Sequence, residues 1–403
     1  MYKESNQPVS IKRLFIKAVK KVIKSILFLI YFLPALLLRM FKIRTVNIDY
    51  RRIGHLVIDT FCLMREKQLY SLKHKYLLIG SREKFANRYI IKYLRKYLII
   101  VDDPFFALLL GPLIKHPLLF KDVSEFTKQV ISARYIELVN GSENMPPLFE
   151  LSADDKKKGK NILSQLGIPE NAWYVCVHNR ESGYSGGVDK DYGQDYRNCR
   201  IGQFELAMDE IIQRGGYCIR MGDPSMEKAV PRVGLIDYAH HPLRSEFLDL
   251  YLSATCKFYL CNSSGLFSLG SIFGEVPAAC TNMAPLGAVL IWSSKEIALP
   301  KIYIKEGVMQ SFGEVFGSPS SNYRLKPEFS EEGIELLENS KEDIRDITIE
   351  MLDRIEAGGD FYTEDDAALQ NRFRALMTPG NYTYGSSTRI GRAFLKKYEH
   401  LLM

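Results

Sequence analysis

The chain has 403 residues, of which 46% are apolar and 25% charged, a length that suggests two or three domains with ample core. This composition excludes collagen, low-complexity disorder and disulfide-stapled mini-domains, and seven cysteines without a CxxC spacing favour reduced thiols over a zinc ribbon or a secreted disulfide framework. The net charge of +7 comes from residues 1–52, which hold 12 of the 54 Lys and Arg residues and only two acids, Glu4 and Asp49. The rest of the chain is nearly neutral, which excludes a nucleic-acid-binding domain there.

The N-terminal segment has the pattern of a membrane anchor. Over residues 11–24, apolar residues recur at i, i+3, i+4 and i+7 while lysines and one arginine fill the other face, which predicts a basic amphipathic helix suited to an anionic membrane surface. The uncharged stretch 25–38 follows, interrupted by Pro34 and shorter than the roughly 20 residues of an ordinary span. We therefore expect residues 1–43 to form an in-plane or re-entrant anchor, whose deletion releases a soluble body. A single tilted span and a helix pair buried in the protein are the alternatives.

Residues 44–150 read as a first α/β unit, because strand and helix patterns alternate. The strands are predicted at 46–50, 75–79 and 97–101, and the helices at 53–70 and 82–95. Asn140-Gly141 and the two prolines at 146 and 147 predict a linker. A charged helix at 152–166 opens the next unit.

Residues 151–330 read as a second α/β unit, followed by C-terminal helices at 331–403. Its strands are predicted at 173–177, 217–220, 234–238, 257–261 and 276–280, with helices at 203–214, 244–254 and from Ser264 onward. The trailing helices are predicted at 341–356, 364–377 and 389–402. The fold class is therefore α/β, with two facing Rossmann-like lobes and a cleft between them.

Candidate site residues lie where strands of the second unit end, since ligands of open α/β sheets bind beyond the carboxyl ends of the strands. His178, Asn179, Arg180 and Glu181 follow the first of these strands. Arg180 can fork onto phosphate oxygens, His178 can donate to them, and Glu181 is a candidate base or a ligand of sugar hydroxyls. The alternative is an ion pair between Arg180 and Glu181. The loop 182–198 is a predicted lid, from which Arg197 reaches the cleft.

Two further strand ends carry polar residues. Arg220 and Asp223 flank Gly222 after the strand at 217–220, where they can bind a phosphate or hydroxyl or, alternatively, pair to fix a turn. Asp237 ends the next strand and is a candidate for a nucleobase or ribose contact.

The third cluster is Ser263, Ser264 and Gly265, placed between a buried strand and a helical pattern. A helix that begins here would offer unpaired N–H groups and its dipole to a pyrophosphate, with Gly265 allowing close approach. Helix capping alone is the alternative.

His55 is the candidate residue of the first unit, because it follows Gly54 at the start of a helical pattern and an imidazole is a suitable general base near neutral pH. A surface or core histidine is the alternative. The sequence holds no GxxxxGK[ST], no GxGxxG after a strand and no HExxH, so neither a metal nor a cofactor is expected. Asp189 and Asp191 match a DxD pattern that arises easily by chance.

These residues resemble a largely uncharacterised bacterial family of GT-B-like glycosyltransferases associated with surface-polysaccharide biosynthesis. The resemblance covers about residues 50–400 and is carried by 52–56, 178–181 with Tyr184, 196–198, 219–224, 236–240, 244–245 with Asp249, 263–267, 282–285 and 350–352. The His178-x-Arg180 pair is also similar to the phosphate-contacting motif of GT-B fucosyltransferases.

The resemblance implies a metal-independent glycosyltransferase whose donor is a nucleotide-diphosphate sugar and whose acceptor is lipid-linked or a growing glycan. His55 or Glu181 would be the base that deprotonates the acceptor hydroxyl. The donor would be bound by His178, Arg180, Arg197, Arg220, Asp223, Asp237, Ser263, Ser264 and Gly265. With the N-terminal segment on anionic lipids, the enzyme would lie peripheral or monotopic at the cytoplasmic face of the inner (plasma) membrane. A nucleotide-sugar epimerase on the same scaffold and an inactive membrane-tethered scaffold protein are the rivals.

Overall fold

The structure, a computed structural model, describes residues 11–123, 126, 132–181, 193–288, 293–359 and 361–403. Its strands, in chain order β1 to β14, are Ile43–Val46, Lys75–Ile79, Leu98–Val101, Phe120–Lys121, Tyr174–His178, Tyr217–Arg220, Leu235–Ile236, Tyr259–Asn262, Ala278–Met283, Ile297–Pro300, Ile302–Lys305, Val308–Met309, Ile334–Leu337 and Arg389–Ile390.

The α-helices alternate with these strands over most of the chain. In chain order α1 to α14 they are Ile11–Met40, Ile53–Leu69, Ile91–Leu94, Pro104–Leu110, Ser132–Gly141, Ala153–Gln165, Glu205–Gln213, Glu246–Thr255, Ser268–Phe273, Phe312–Gly317, Lys326–Glu331, Lys341–Glu356, Glu364–Ala375 and Arg392–Lys397. Single 3₁₀ turns lie at Arg82–Lys84, Gly111–Leu113, Asp195–Arg197, Ile201–Phe204, Tyr238–His240, Leu286–Ala288, Pro319–Asn322 and Glu399–Leu401.

Two parallel sheets form the framework, which confirms the α/β class. The first has the order β3-β2-β1-β4 and the second β14-β10-β9-β8-β5-β6-β7, and every strand pair in both is parallel. A small antiparallel sheet, β12-β11-β13, follows the second sheet and was not predicted.

The strand order of the second sheet reverses between β5 and β8. From β5 the chain proceeds outward through β6 and β7, and it then returns to the other side of β5 to place β8, β9 and β10. Connections leave in opposite directions at such a switch point, so a crevice forms outside the carboxyl ends of the two strands. The residues that follow β5 and β8 therefore lie where an open α/β sheet binds its ligand.

A single hydrophobic cluster runs through both sheets and the helices between them. Phe273 of α9 stacks on Phe149 at 4.8 Å and meets the edge of Tyr93, from the first sheet's side, at 5.3 Å between ring centroids. Helix α12 packs on α7, β9 and β10, so the C-terminal helices cover the second sheet. The division into two facing lobes stays a prediction, since this cluster joins the two sheets.

Helix α1 is one continuous helix of 30 residues that passes through Pro34 without a break. Its part Lys21–Met40 has a mean hydropathy of 2.0, is 6% buried, and is by length and composition able to cross a membrane. The uncharged stretch 25–38 thus lies within one longer helix, and the alternative of a buried helix pair is contradicted by this exposure. The in-plane anchor stays a prediction.

The second half of α1 packs on the first sheet. Ala35 is fully buried in a small cluster with Leu77 and Ile79 of β2, and Tyr31 donates its hydroxyl hydrogen to the carbonyl of Leu109. Since β1 starts at Ile43, directly after α1, deletion of residues 1–43 removes this packing together with the first residue of a central strand. The second half of α1 is therefore packed on the first sheet, and the release of a soluble body by deletion of residues 1–43 stays a prediction.

Several predicted elements differ from the observed ones for identifiable reasons. The strand expected at 46–50 lies at Ile43–Val46, because the residues from Ile43 onward pair with β2. The helix expected at 82–95 is interrupted because the Asn87 side chain accepts from the N–H of Ile90, a local bond that competes with helix formation. The helix expected at 389–402 begins only after Gly391, because Arg389 and Ile390 pair with β10.

Candidate functional site

The carboxyl ends of β5 and β8 are joined directly by hydrogen bonds. The backbone N–H of Arg180 donates to Oδ1 of Asn262 at 2.8 Å, so the turn after β5 is held against the last residue of β8. Asn262 is fully buried, and its Nδ2 donates to the carbonyl of Arg197 at 2.8 Å. One amide thus positions both predicted arginines at the switch point. Asn262 directly precedes the predicted cluster of Ser263, Ser264 and Gly265, and the sequence did not single it out.

His178, the last residue of β5, is a neutral imidazole with both nitrogens in use. Burial lowers its pKa to about 4, and its Nδ1 lies 3.1 Å from the carbonyl oxygen of Met221. A carbonyl only accepts, so Nδ1 carries the proton and Nε2 accepts from the Ser264 hydroxyl at 3.0 Å. In this arrangement His178 orients the Ser264 hydroxyl, and its predicted donation to a phosphate stays a prediction.

The helix predicted to start at Ser263 or Ser264 begins at Ser268 and has six residues. Residues 263–267 form a turn in which the N–H of Leu266 donates to Oγ of Ser264 at 3.3 Å, and Ser264 does not cap the helix. The helix-dipole part of the anion-binding hypothesis is therefore wrong. What remains at this position is a turn of two serines and a glycine beside two arginines.

The hydrogen-bond partners of the two arginines include several neutral groups. The Arg197 guanidinium donates to the hydroxyl of Ser263 at 3.0 Å and to its carbonyl at 2.7 Å. Nε of Arg180 donates to Oδ1 of Asn198 at 3.1 Å. One hydrogen-bonded group therefore contains Arg180, Arg197 and the serine turn, at or near the strand ends where the sequence placed them. The remainder of the predicted lid, residues 182–192, lies outside the described residues, as do Asp189 and Asp191.

Arg220 lies beneath this group and not on its surface. It is fully buried, and its guanidinium lies 3.2 Å from Glu181 and 3.6 Å from Asp237. Burial lowers the pKa of Arg220, and the two carboxylates oppose that shift. The predicted alternative in which Arg180 pairs with Glu181 is replaced by this buried pair with Arg220.

Glu181 is surrounded by donors. Its Oε1 accepts from Nδ2 of Asn179 at 2.6 Å and from Arg220, while Oε2 accepts from the backbone N–H of Glu227 at 2.7 Å. These three donors leave the carboxylate engaged within the protein. The geometry thus assigns Glu181 a bracing position.

Asp223 and Asp237 also bond within the protein. Oδ1 of Asp223 accepts from the N–H of Ser225 at 2.9 Å, as in an Asx turn. Asp237 accepts from His240 at 2.9 Å and from the N–H of Ala229 at 3.2 Å. Both aspartates shape the loops that follow β6 and β7. The structural alternative of an Arg220–Asp223 pair is wrong in its partner, because Arg220 pairs with Glu181 and Asp237.

His55 of the first unit follows Gly54, and Gly54 contacts Gly265 of the serine turn. A Cβ on Gly54 would lie 3.0 Å from the Cα of Gly265, so the start of α2 touches the serine turn after β8. Nδ1 of His55 lies 3.4 Å from Oδ2 of the buried Asp59, one helical turn later. This i, i+4 partner was missed in the sequence, although the spacing alone could have indicated it.

The described residues contain no group of three His, Cys, Asp or Glu side chains placed to hold a metal ion.

Comparison with known proteins gave distant likenesses in structure only. No protein-family profile and no curated protein sequence matches the chain, so the family resemblance of the motifs stays a prediction. A glycosyl transferase family 9 structure from Veillonella parvula is 12% identical, with a TM-score of 0.40 over 64% of this chain and 85% of that one. E. coli ADP-heptose lps heptosyltransferase II is 12% identical, with a TM-score of 0.40 over 66% and 92%.

Proposed function

We propose that this protein is a membrane-associated glycosyltransferase, which moves a sugar from a nucleotide-diphosphate donor to a lipid-linked or growing surface-polysaccharide acceptor. One observation carries the proposal. Arg180, Arg197 and the Ser263–Ser264 turn form a single group at the switch point of the second sheet, and Gly54, the residue before His55 in the first unit, touches Gly265 beside it. A phosphate-binding group that faces a histidine from the other unit is what sugar transfer from a diphosphate donor requires.

The donor would bind through its diphosphate. Arginine guanidinium groups are planar, always charged and able to donate two parallel hydrogen bonds to phosphate oxygens. Arg180 and Arg197 are held by Asn198, Ser263 and Gln194, so they need little reordering when a ligand arrives. When the glycosidic bond to the donor breaks, these two cations would stabilise the charge of the leaving diphosphate, which makes a metal ion dispensable in this proposal.

His55 is the better of the two predicted bases. The Glu181 carboxylate accepts hydrogen bonds from Asn179, Arg220 and Glu227, whereas His55 is about one-third exposed and its Nδ1 faces Asp59. With the proton of the imidazole on Nδ1, the Nε2 lone pair would take the proton of the acceptor hydroxyl. The acceptor oxygen then forms the new bond to the anomeric carbon as the diphosphate leaves with the electrons of the old one.

Helix α1 supports the membrane part of the proposal. Its exposed apolar residues and the basic residues of the segment 11–24 suit an anionic bilayer surface on the cytoplasmic side, where each Lys or Arg contributes about 1 kcal/mol. An acceptor anchored in the same membrane would then be presented to the enzyme without diffusing through solution.

The test is a turnover assay of the full chain, in mild detergent or vesicles, with a panel of UDP-, GDP-, CMP- and dTDP-sugars. We expect transfer to a lipid-linked or glycan acceptor, or slow donor hydrolysis when no acceptor is present. An epimerised donor sugar without transfer would establish the epimerase instead. If none of the donors in the panel binds, the result favours an inactive scaffold.

A further inference from the structure

A second apolar element lies beside α1 on the first sheet. Helix α4, Pro104–Leu110, consists only of apolar residues and has none of them buried. Phe105 is 68% exposed and Leu108 81%, and Phe106 and Leu109 are about half exposed. Soluble proteins rarely expose a contiguous apolar patch of this kind unless it binds a partner or a membrane.

The conformation of α4 is firmly set and is not a frayed loop. Asp103 accepts from the N–H groups of Phe105 and Phe106 at 2.9 and 3.1 Å, and Pro104 occupies the first helical position. An Asp cap followed by proline is a strong helix start. The exposed phenylalanines and leucines are therefore held outward by the fold.

Helices α4 and α1 lie side by side. Tyr31 of α1 bonds to the carbonyl of Leu109, and both helices pack into the same small core through Ala35, Ala107 and Leu110. On the side of α1 away from this core, Leu33, Leu37 and Met40 are exposed, at 62%, 48% and 70%. The exposed residues of these two neighbouring helices together are named the apolar surface.

Basic residues border this surface. Arg39 donates to the carbonyl of Leu118, and Lys42 and Lys115 are exposed close by in the chain. The pKa of His74 is lowered by partial burial and by Arg44, Lys42, Arg39 and Lys67, which shows that these positive charges are gathered at the end of α1. An apolar face bordered by cations is complementary to an anionic bilayer, in which acyl chains lie beneath negative headgroups.

We propose that α4 enters the same membrane leaflet as α1, and that the first sheet rests on an anionic bilayer through both helices. Asp103 follows β3 at the carboxyl edge of the first sheet, the edge from which the chain also enters α2 with His55. The inference rests on the membrane association of α1 in the proposed function and not on the reaction that the site performs.

Fluorescence from a single exposed thiol tests the proposal in the full chain. All seven native cysteines are buried, so an environment-sensitive dye attached to a Leu108→Cys variant reports on α4 alone. With vesicles containing phosphatidylglycerol, we expect its emission to shift to shorter wavelength and to be quenched by nitroxide-labelled lipids. The matched control is Val233→Cys, at a position 92% exposed before β7, where neither change is expected.

Two results would overturn the proposal. If vesicles bind the chain while the Leu108 dye stays in a water-like environment, α1 alone contacts the membrane. If the dye shifts without lipid and in proportion to protein concentration, a second protein copy covers α4. Unchanged thermal unfolding of the labelled variant shows that neither outcome comes from misfolding, since α4 has no buried side chain.

Discussion

Gly54 and Gly265 touch backbone to backbone where the first unit meets the second. A Cβ on Gly265 would lie 2.8 Å from the Cα of Gly54, a distance at which the two segments must move apart. Gly265→Ala is therefore expected to lower the free energy of unfolding by about 1–3 kcal/mol and to weaken nucleotide-sugar binding, since the clash lies in rigid backbone. Chemical denaturation and a ligand-induced thermal shift measure the two effects.

The control for this substitution is Gly317→Ala, because nothing lies within 4 Å of a Cβ at Gly317. It should leave unfolding and binding unchanged within about 0.5 kcal/mol. If Gly265→Ala behaves like Gly317→Ala, the two segments are not in the close contact described.

Arg220 should stabilise the fold without contacting the donor. Arg220→Ala leaves Glu181 and Asp237 without their buried cation, which is expected to lower the free energy of unfolding by about 3–5 kcal/mol. The exposed Arg200 offers a matched comparison, since its pair with Glu227 lies at the surface and its removal should change stability by less than about 1 kcal/mol. Equal stability of the two variants in urea titrations would show that Arg220 is not buried between its carboxylates.

His178 should make the protein sensitive to acid. Its folded pKa of about 4 lies below the usual 6.5, so between these pH values the unfolded chain binds a proton that the folded protein does not. Stability is therefore present above pH 6.5 and is lost as the pH falls toward 4, by an amount on the order of 3 kcal/mol. The difference in unfolding free energy between the native protein and His178→Gln, measured from pH 7.5 to 4.5, isolates this contribution. A difference independent of pH would contradict a neutral buried imidazole.

Asp59 should act through His55 in the proposed reaction. Asp59→Asn removes the charge that holds Nδ1–H of the imidazole, and we expect kcat to fall by about tenfold or more with little change in KM. A merely structural role would lower the free energy of unfolding without this split between kcat and KM. Asp59→Glu, which keeps the charge, should recover part of the activity. Unchanged kcat in Asp59→Asn would exclude the pair from catalysis.

Strands that are continuous apolar runs were predicted well in both sheets, β2 with its observed bounds and β3 within one residue, whereas β4, β10 and β14 were not predicted. β6 was predicted with its observed bounds, and β5 and β8 within two residues, since fully buried parallel strands leave such runs. β1 was misplaced because its position depends on pairing with Lys75 and its neighbours, a contact that local pattern does not contain.

At the site, the sequence predicted which strand ends meet but not which side chains face outward. The sequence placed five site residues at or near neighbouring strand ends, and hydrogen bonds join them in the structure: His178, Arg180, Arg197, Ser263 and Ser264. The burial of Arg220 was not foreseen, because a strand-terminal arginine looks the same in sequence whether it faces a cleft or a buried carboxylate. The supporting roles of Asn262 and Asp59 were also missed. Asn262 acts through contacts between separate elements, and Asp59 meets His55 one turn away on the same helix face.

The most direct measurement of the central claim is equilibrium binding of nucleoside diphosphates and nucleotide sugars to the full chain and to Arg180→Ala. Arg180 and Arg197 are proposed to hold the diphosphate, so we expect at least one nucleotide to bind the native protein and to bind Arg180→Ala at least about tenfold more weakly. The unliganded melting temperature should remain unchanged, and Arg200→Ala should bind like the native protein. Equal nucleotide affinity of Arg180→Ala and the native protein would contradict a donor site between β5 and β8.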